Sequence, residues 1–138
     1  MLERGEGHFL ITASAAGLLT YPTAAPYSVT KHAAVAFAEY LAYSYTDKGI
    51  KISCLCPQGV KTNLIATPEG EPENFLMPEA IEVEDCSEAV VKGLESEQFL
   101  ILPHAEVAEY IISKASNYDK WLSWMSKLRQ KILAERGI

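Results

Sequence analysis

Tyr27 and Lys31 stand four residues apart, and Ser14 precedes them in the chain. On a helix that spacing places two side chains on one face, one turn apart, so an ammonium at 31 can reach the region of a phenol at 27. A free tyrosine titrates near ~10 and is a poor proton donor or acceptor at neutral pH, whereas a fixed cation close by favours phenolate. A serine hydroxyl just past a strand can orient a substrate oxygen beside that phenol. The chemistry open to the three is proton transfer to or from the oxygen of a carbonyl or an alcohol. Taken alone, Tyr-x-x-x-Lys is weak evidence, because any surface helix can carry it. The plain alternative is a half-buried tyrosine, a solvated lysine and a loop serine.

The elements around these residues would place them at one end of a sheet. His8-Phe9-Leu10-Ile11-Thr12 is a short apolar run between Gly7 and small residues, which suits a buried strand. Ala13 to Pro26 reads as small residues and loop, interrupted by Pro22 and Pro26. A long helix is predicted from about Pro26 and Tyr27 to Lys48, since proline suits a first turn and neither Gly nor Pro recurs before Gly49, a natural stop. Ala33, Ala34, Phe37, Ala38 and Leu41 recur at helical spacing as its packing face. Ile50 to Leu55 follows as a second strand, giving strand, helix and strand in the order of a parallel βαβ unit.

Beyond Pro57 the pattern loosens. Residues 59–82 are rich in Pro, Glu and Gly, which fits either a lid loop or a disordered insert. Leu64, Ile65, Phe75, Leu76 and Met77 in it could wall a substrate site or simply anchor the loop. Asp85 and Glu88 have capping-box spacing ahead of a short helix, and Phe99 to Leu102 reads as a third strand. One helical pattern then runs from Ala105 to about Leu133, through Ala108, Ile111, Ala115, Tyr118, Leu122, Met125, Leu128 and Ile132. Trp121, Trp124 and Met125 with the neighbouring lysines are read as packing against the same chain or a partner, ahead of a membrane surface. The division expected is a body of residues 1–104 and a helical extension of residues 105–138.

Bulk properties exclude several classes. A 138-residue chain that is 49% hydrophobic matches one ordinary domain with a real core. A net charge of -6 and a pI near 5.0 argue against a nucleic-acid binder. There is no signal-peptide core and no apolar run long enough for a bilayer, so the expectation is a soluble, cytoplasmic chain. Cys54, Cys56 and Cys86 form no disulfide framework, and His8, His32 and His104 have no metal-ligand spacing; all are expected to be structural or surface residues, with no metal site.

Three segments taken together are more specific than any one of them. Phe9-Leu10-Ile11-Thr12-Ala13-Ser14-Ala15-Ala16-Gly17, then Tyr27-Ser28-Val29-Thr30-Lys31, then Cys56-Pro57-Gln58-Gly59-Val60-Lys61-Thr62 resemble, in order and spacing, the second half of a short-chain dehydrogenase/reductase. The resemblance implies an α/β fold, a partial Rossmann-like three-layer arrangement of parallel strands with the N-terminal cofactor-binding half missing. It implies NAD or NADP as cofactor and a small-molecule alcohol or carbonyl substrate, apolar and small to medium in size. By the same resemblance Tyr27 is the general acid or base, Lys31 holds the nicotinamide ribose and lowers the phenol pKa, and Ser14 positions the substrate oxygen. Pro57, Gly59, Val60 and Thr62 would border the nicotinamide, with Val60 and Thr62 at its carboxamide, although Thr62 could instead cap the following turn. Leu64 and Ile65 are the candidate substrate contacts.

Two features differ from the family pattern. Gln58 stands where a glycine usually follows the proline, and the Gly-rich turn that seats a pyrophosphate does not occur in these residues. The expectation is therefore a fragment that alone binds dinucleotide weakly or not at all and whose first strand has an edge without its usual neighbour. The alternative is a non-catalytic interaction module, in which the helix from Tyr27 to Lys48 mediates the homodimer or homo-oligomer that the resemblance also implies.

Overall fold

The structure is a computed structural model that describes all 138 residues. Three parallel strands, β1 (Gly7–Thr12), β2 (Ile50–Leu55) and β3 (Leu100–Ile101), form a sheet in the order β1-β2-β3. Gly7 lies opposite Ile50 and Thr12 opposite Leu55, so β1 and β2 end level with one another. β1 is an edge strand, with Phe9 and Leu10 exposed.

The crossover between β1 and β2 is α2 (Ala25–Tyr45), which passes through a 3-10 turn at Thr46–Lys48 and stops at Gly49. Val35 and Ala38 of α2 pack on Ile50, Ile52, Cys54 and Cys56, which alternate along one face of β2 and form the main core with Ala13. Of the expected packing face of α2, Ala38 is fully buried but Ala33 and Phe37 are exposed; Val35 takes the inward place instead. Cys54 and Cys56 are fully buried, with their sulfurs 3.8 Å apart. That contact, together with burial, pushes the Cys54 thiol well above its ordinary range, while the same contact pulls Cys56 down. On the opposite face α3 (Val83–Glu95) meets β3, where Gly93 leaves space for Ile101. Helix, sheet and helix thus make the three layers expected.

Several local expectations are corrected. The stretch taken as loop contains a short helix, α1 (Ala16–Leu19), because Gly17 lets the chain lie on α2: a Cβ there would meet the Lys31 carbonyl oxygen at 2.5 Å. α3 begins at Val83, two residues before the supposed cap Asp85, so Asp85 lies within the first turn and no side chain caps the helix. The tail is two helices, α4 (Glu106–Ser116) and α5 (Tyr118–Glu135), rather than one. Asn117 breaks them by taking extended backbone angles and accepting the Lys120 N–H at 3.0 Å. In α4 Val107 is buried while Ala108 and Ala115 stay exposed, and past the break Trp121 and Ile132 are buried while Tyr118 and Leu122 stay exposed.

Val107 and Trp121 join Ala15 and Leu19 in a second core, and Lys114 Nζ donates to the Leu18 carbonyl at 2.6 Å. The helical pair α4–α5 is therefore fastened to α1. Residues 56–82 are irregular but tied: Val60 pairs in parallel with Ile81, and Lys61 forms an ion pair with Glu82. No helix is long and apolar enough to cross a membrane.

Candidate active site

The ends of β1 and β2 deliver two loops to the same place. Past β1, the Ala13 N–H donates to Leu55 at 2.9 Å and the Ala15 N–H to Pro57 at 2.8 Å, which continues the sheet pairing into the loops. Ser14 lies between these two bonds and is buried. Its Oγ accepts the Ala16 N–H at 3.1 Å and points its own proton at the Pro57 carbonyl, 3.4 Å away. The second contact is long, leaving the hydroxyl free to turn to another acceptor.

Tyr27 rides on the first turns of α2, whose start has no side-chain cap. Ser28 supplies the fastening one turn in: its buried Oγ donates to the Ala24 carbonyl at 3.0 Å and accepts the Tyr21 N–H at 2.7 Å. Lys31 Nζ stands 5.7 Å from the Tyr27 ring centroid and donates to the Thr12 carbonyl at 3.3 Å, so the ammonium is held between helix and strand end. Tyr21 packs edge-on to Tyr27, with centroids 6.2 Å apart, and burial pushes its phenol above the ordinary range against a smaller opposing pull from Arg136.

Ser14, Tyr27, Leu64 and Ile65 line one cavity of about 500 Å³. Lys31, Pro57, Gly59, Val60 and Thr62 do not line it. Ile65 is buried in its wall, whereas Leu64, 79% exposed, touches it from the rim. Gly59 is enclosed, and a Cβ there would meet the Leu76 carbonyl at 2.7 Å. Thr62 Oγ1 donates to the Val60 carbonyl and accepts the Leu64 N–H, both at 3.3 Å, which is the turn-capping arrangement.

Sequence reasoning missed what holds the loop after β2. His104 is 4% exposed; its Nδ1 accepts the Gln58 N–H at 3.2 Å and its Nε2 donates to the Gly59 carbonyl at 3.1 Å. Gln58 Nε2 donates to Glu106 Oε1 at 2.7 Å, so Gln58 links this loop to α4. No local pattern flags these partners, which lie more than forty residues apart and meet only through the fold. Tyr110, Trp121 and Trp124 complete the far wall of the cavity. The arrangement can present a hydroxyl and a phenol, with an ammonium behind the phenol, to the oxygen of a molecule held in an apolar chamber.

Comparisons with known proteins give the family and the fold. The sequence profile of short chain dehydrogenases matches residues 1–71. Estradiol 17-beta-dehydrogenase 11 of Macaca fascicularis is 30% identical over 134 residues, covering 92% of this chain and 42% of the relative. A short chain dehydrogenase/reductase of Burkholderia phymatum, solved in complex with NAD, superposes with a TM-score of 0.66 at 21% identity over 86% of this chain and 50% of that one. A short chain dehydrogenase of Burkholderia cenocepacia in complex with NADP gives 0.71 at 17% identity, over 90% of this chain and 49% of that one. The chain spans half or less of the length of these proteins. Since the profile takes in half of the chain, the βαβ unit with its serine and tyrosine motifs belongs to the short-chain dehydrogenase/reductase family.

Proposed function

We propose that this chain is the catalytic part of an NAD(P)-dependent oxidoreductase that interconverts an alcohol and its carbonyl compound, with Tyr27 moving the proton. The observation that carries the reading is the shared cavity of Ser14 and Tyr27, with the Lys31 ammonium beside the phenol. In reduction, the substrate carbonyl oxygen accepts hydrogen bonds from Ser14 Oγ and Tyr27 Oη, and Tyr27 gives up its proton as the carbon–oxygen double bond becomes single. In oxidation the phenolate takes the alcohol proton back. Lys31 opposes the charge that remains on the phenolate.

The residues present fit the nicotinamide end of a dinucleotide. The Lys31 ammonium and the Thr12 carbonyl stand at the C-terminal ends of parallel strands, where open α/β sheets bind their ligands. Lys31 would hold the ribose hydroxyls, and the Pro57 to Thr62 loop, braced by His104, would border the ring, with Val60 and Thr62 at the carboxamide. When bound, NAD or NADP supplies or accepts the hydride. In the complete enzyme, Tyr27→Phe is expected to lower kcat about a hundredfold or more with an unchanged circular dichroism spectrum; turnover at the parent rate would overturn the mechanism.

A second reading, assembly through α2, is favoured by one observation. Val29, Ala33, Phe37 and Tyr40 form an exposed stripe along that helix, and Val29 is 68% and Phe37 56% exposed. A dimer on a sizing column that Phe37→Glu dissociates, and that takes up neither NADH nor NADPH in calorimetry, would favour an interaction module over a working enzyme.

A further inference from the structure

We infer that the cavity selects a neutral, bulky, ring-bearing alcohol or ketone that carries a second hydrogen-bond donor within reach of Glu106, and that it rejects anionic substrates. The inference rests on the reading above for which end reacts. The chamber walls themselves give the rest.

Of the 22 residues that line the chamber, 15 are hydrophobic, and six contribute aromatic rings. Tyr21, Tyr27 and Phe75 form one group, with Tyr21 and Phe75 centroids 5.3 Å apart. Tyr110, Trp121 and Trp124 form the other, with the two indoles 5.0 Å apart. These rings come from the loop before α2, the start of α2, the irregular segment and the α4–α5 pair. Rings meet rings edge-on or offset, gaining more than area burial alone supplies, so such walls favour a cyclic skeleton over a linear one of equal carbon count. A cavity of about 500 Å³ is of the size that encloses a drug-sized molecule.

Charge narrows the class further. The lining includes Glu79 and Glu106 and no lysine or arginine. Lys31 lies outside the lining and is bonded to Thr12. A carboxylate or phosphate entering here would leave water to meet like charge along the lining, with Lys31 and Arg136 acting only from outside it, through Tyr27 and Tyr21. Glu106 Oε1 is taken by Gln58, and Oε2 has no protein partner, so this carboxylate can accept a hydrogen bond from a ligand hydroxyl or amine. The serine and phenol fix one end of the ligand, and Glu106 can fix its orientation at another point.

Trp121 and Trp124 are the only tryptophans in the chain, and both line the cavity, so intrinsic emission reports occupancy directly. The test is a fluorescence titration, corrected for absorption by the ligand, with cyclohexyl phenyl ketone, its para-hydroxy and para-carboxy derivatives, and linear 2-tridecanone. The two neutral ring ketones should quench saturably, with the hydroxy compound the tighter. The carboxylate and the linear ketone should each bind about tenfold more weakly or worse. Glu106→Gln should remove most of the hydroxyl advantage and reduce the carboxylate deficit about threefold. Should that variant not fold, the parent series decides alone. A carboxylate or linear ketone that binds as tightly as cyclohexyl phenyl ketone would overturn the inference, as would no saturable response to any ring ketone. These titrations need no dinucleotide. Ring ketones that bind the complete enzyme without NAD(P)-linked turnover overturn the oxidoreductase reading and leave the ligand class standing, whereas turnover confined to anionic or linear ketones overturns the ligand class alone.

Discussion

The β1–α2–β2 unit and the α4–α5 pair both face the cavity, yet they are built on different terms. In the first, Ala38, Cys54 and Cys56 have no exposure at all, and the strand ends continue their pairing into the loops that carry Ser14 and Pro57. In the second, burial is confined to a few side chains such as Val107, Trp121 and Ile132, and Leu122, Trp124, Tyr110 and Ile112 remain substantially exposed. On the proposed reading, the residues that would hold a reacting oxygen sit on the more deeply buried frame, and those that would choose the ligand sit on the more exposed one. The difference teaches that chemistry and selectivity here can vary separately.

The comparison can be broken by measuring how the two regions open. The three cysteines are free, with Cys54 and Cys56 buried in β2 and its exit and Cys86 half-exposed on α3. Burial pushes the Cys86 thiol up, so it should react with iodoacetamide more slowly than a free thiol. Cys54 and Cys56 should still lag behind it by about a thousandfold, because they become accessible only on global opening. Equal labelling rates, read by mass spectrometry, would show that the sheet is not the firmer region.

Truncating the core of that unit comes next in size. Ile52→Ala should cost about 2–5 kcal/mol in denaturant unfolding, since it empties a buried site between β2 and α2 that neither element can close. Gly17→Ala should cost about 1–3 kcal/mol, because the new methyl meets the Lys31 backbone oxygen rather than a movable side chain, and catalysis should fall with it as Ser14 shifts against Tyr27. Asn117→Ala should cost about 1 kcal/mol, altering tryptophan emission while leaving Cys54 labelling unchanged. A matching change at Cys54 would mean that the helical pair and the sheet unfold as one body.

The parts legible in the sequence are those whose physics is local. β1 and β2 are bounded apolar runs, α2 has a proline at its start and a glycine after its end, and the Tyr27 and Lys31 spacing needs only one helical turn. α1 escaped because four residues, Ala-Gly-Leu-Leu, become helical only by lying on α2 through Gly17. The start of α3 was misplaced because a capping-box spacing at Asp85 and Glu88 outweighed an opening that has no cap. The tail was misread because its apolar spacing runs across Asn117 while the helix does not, so Leu122 was placed inward where Trp121 in fact lies. The hold of His104 and Glu106 on the loop at Gln58 and Gly59 depends on contacts between distant segments and has no short-range signature.

The clasp formed by Val60 with Ile81, reinforced by Lys61 with Glu82, has a consequence for how this chain can be altered. It pins both stems of the intervening excursion, in which Ile65, Phe75 and Leu76 line the cavity while Glu69, Gly70 and Glu71 stand exposed at the crest. Doubling the length of such a tethered excursion adds only about 0.6 kcal/mol of closure entropy. Epitope tags, fluorophores or longer inserts grafted at that crest are therefore expected to leave the fold of the sheet and its loops intact.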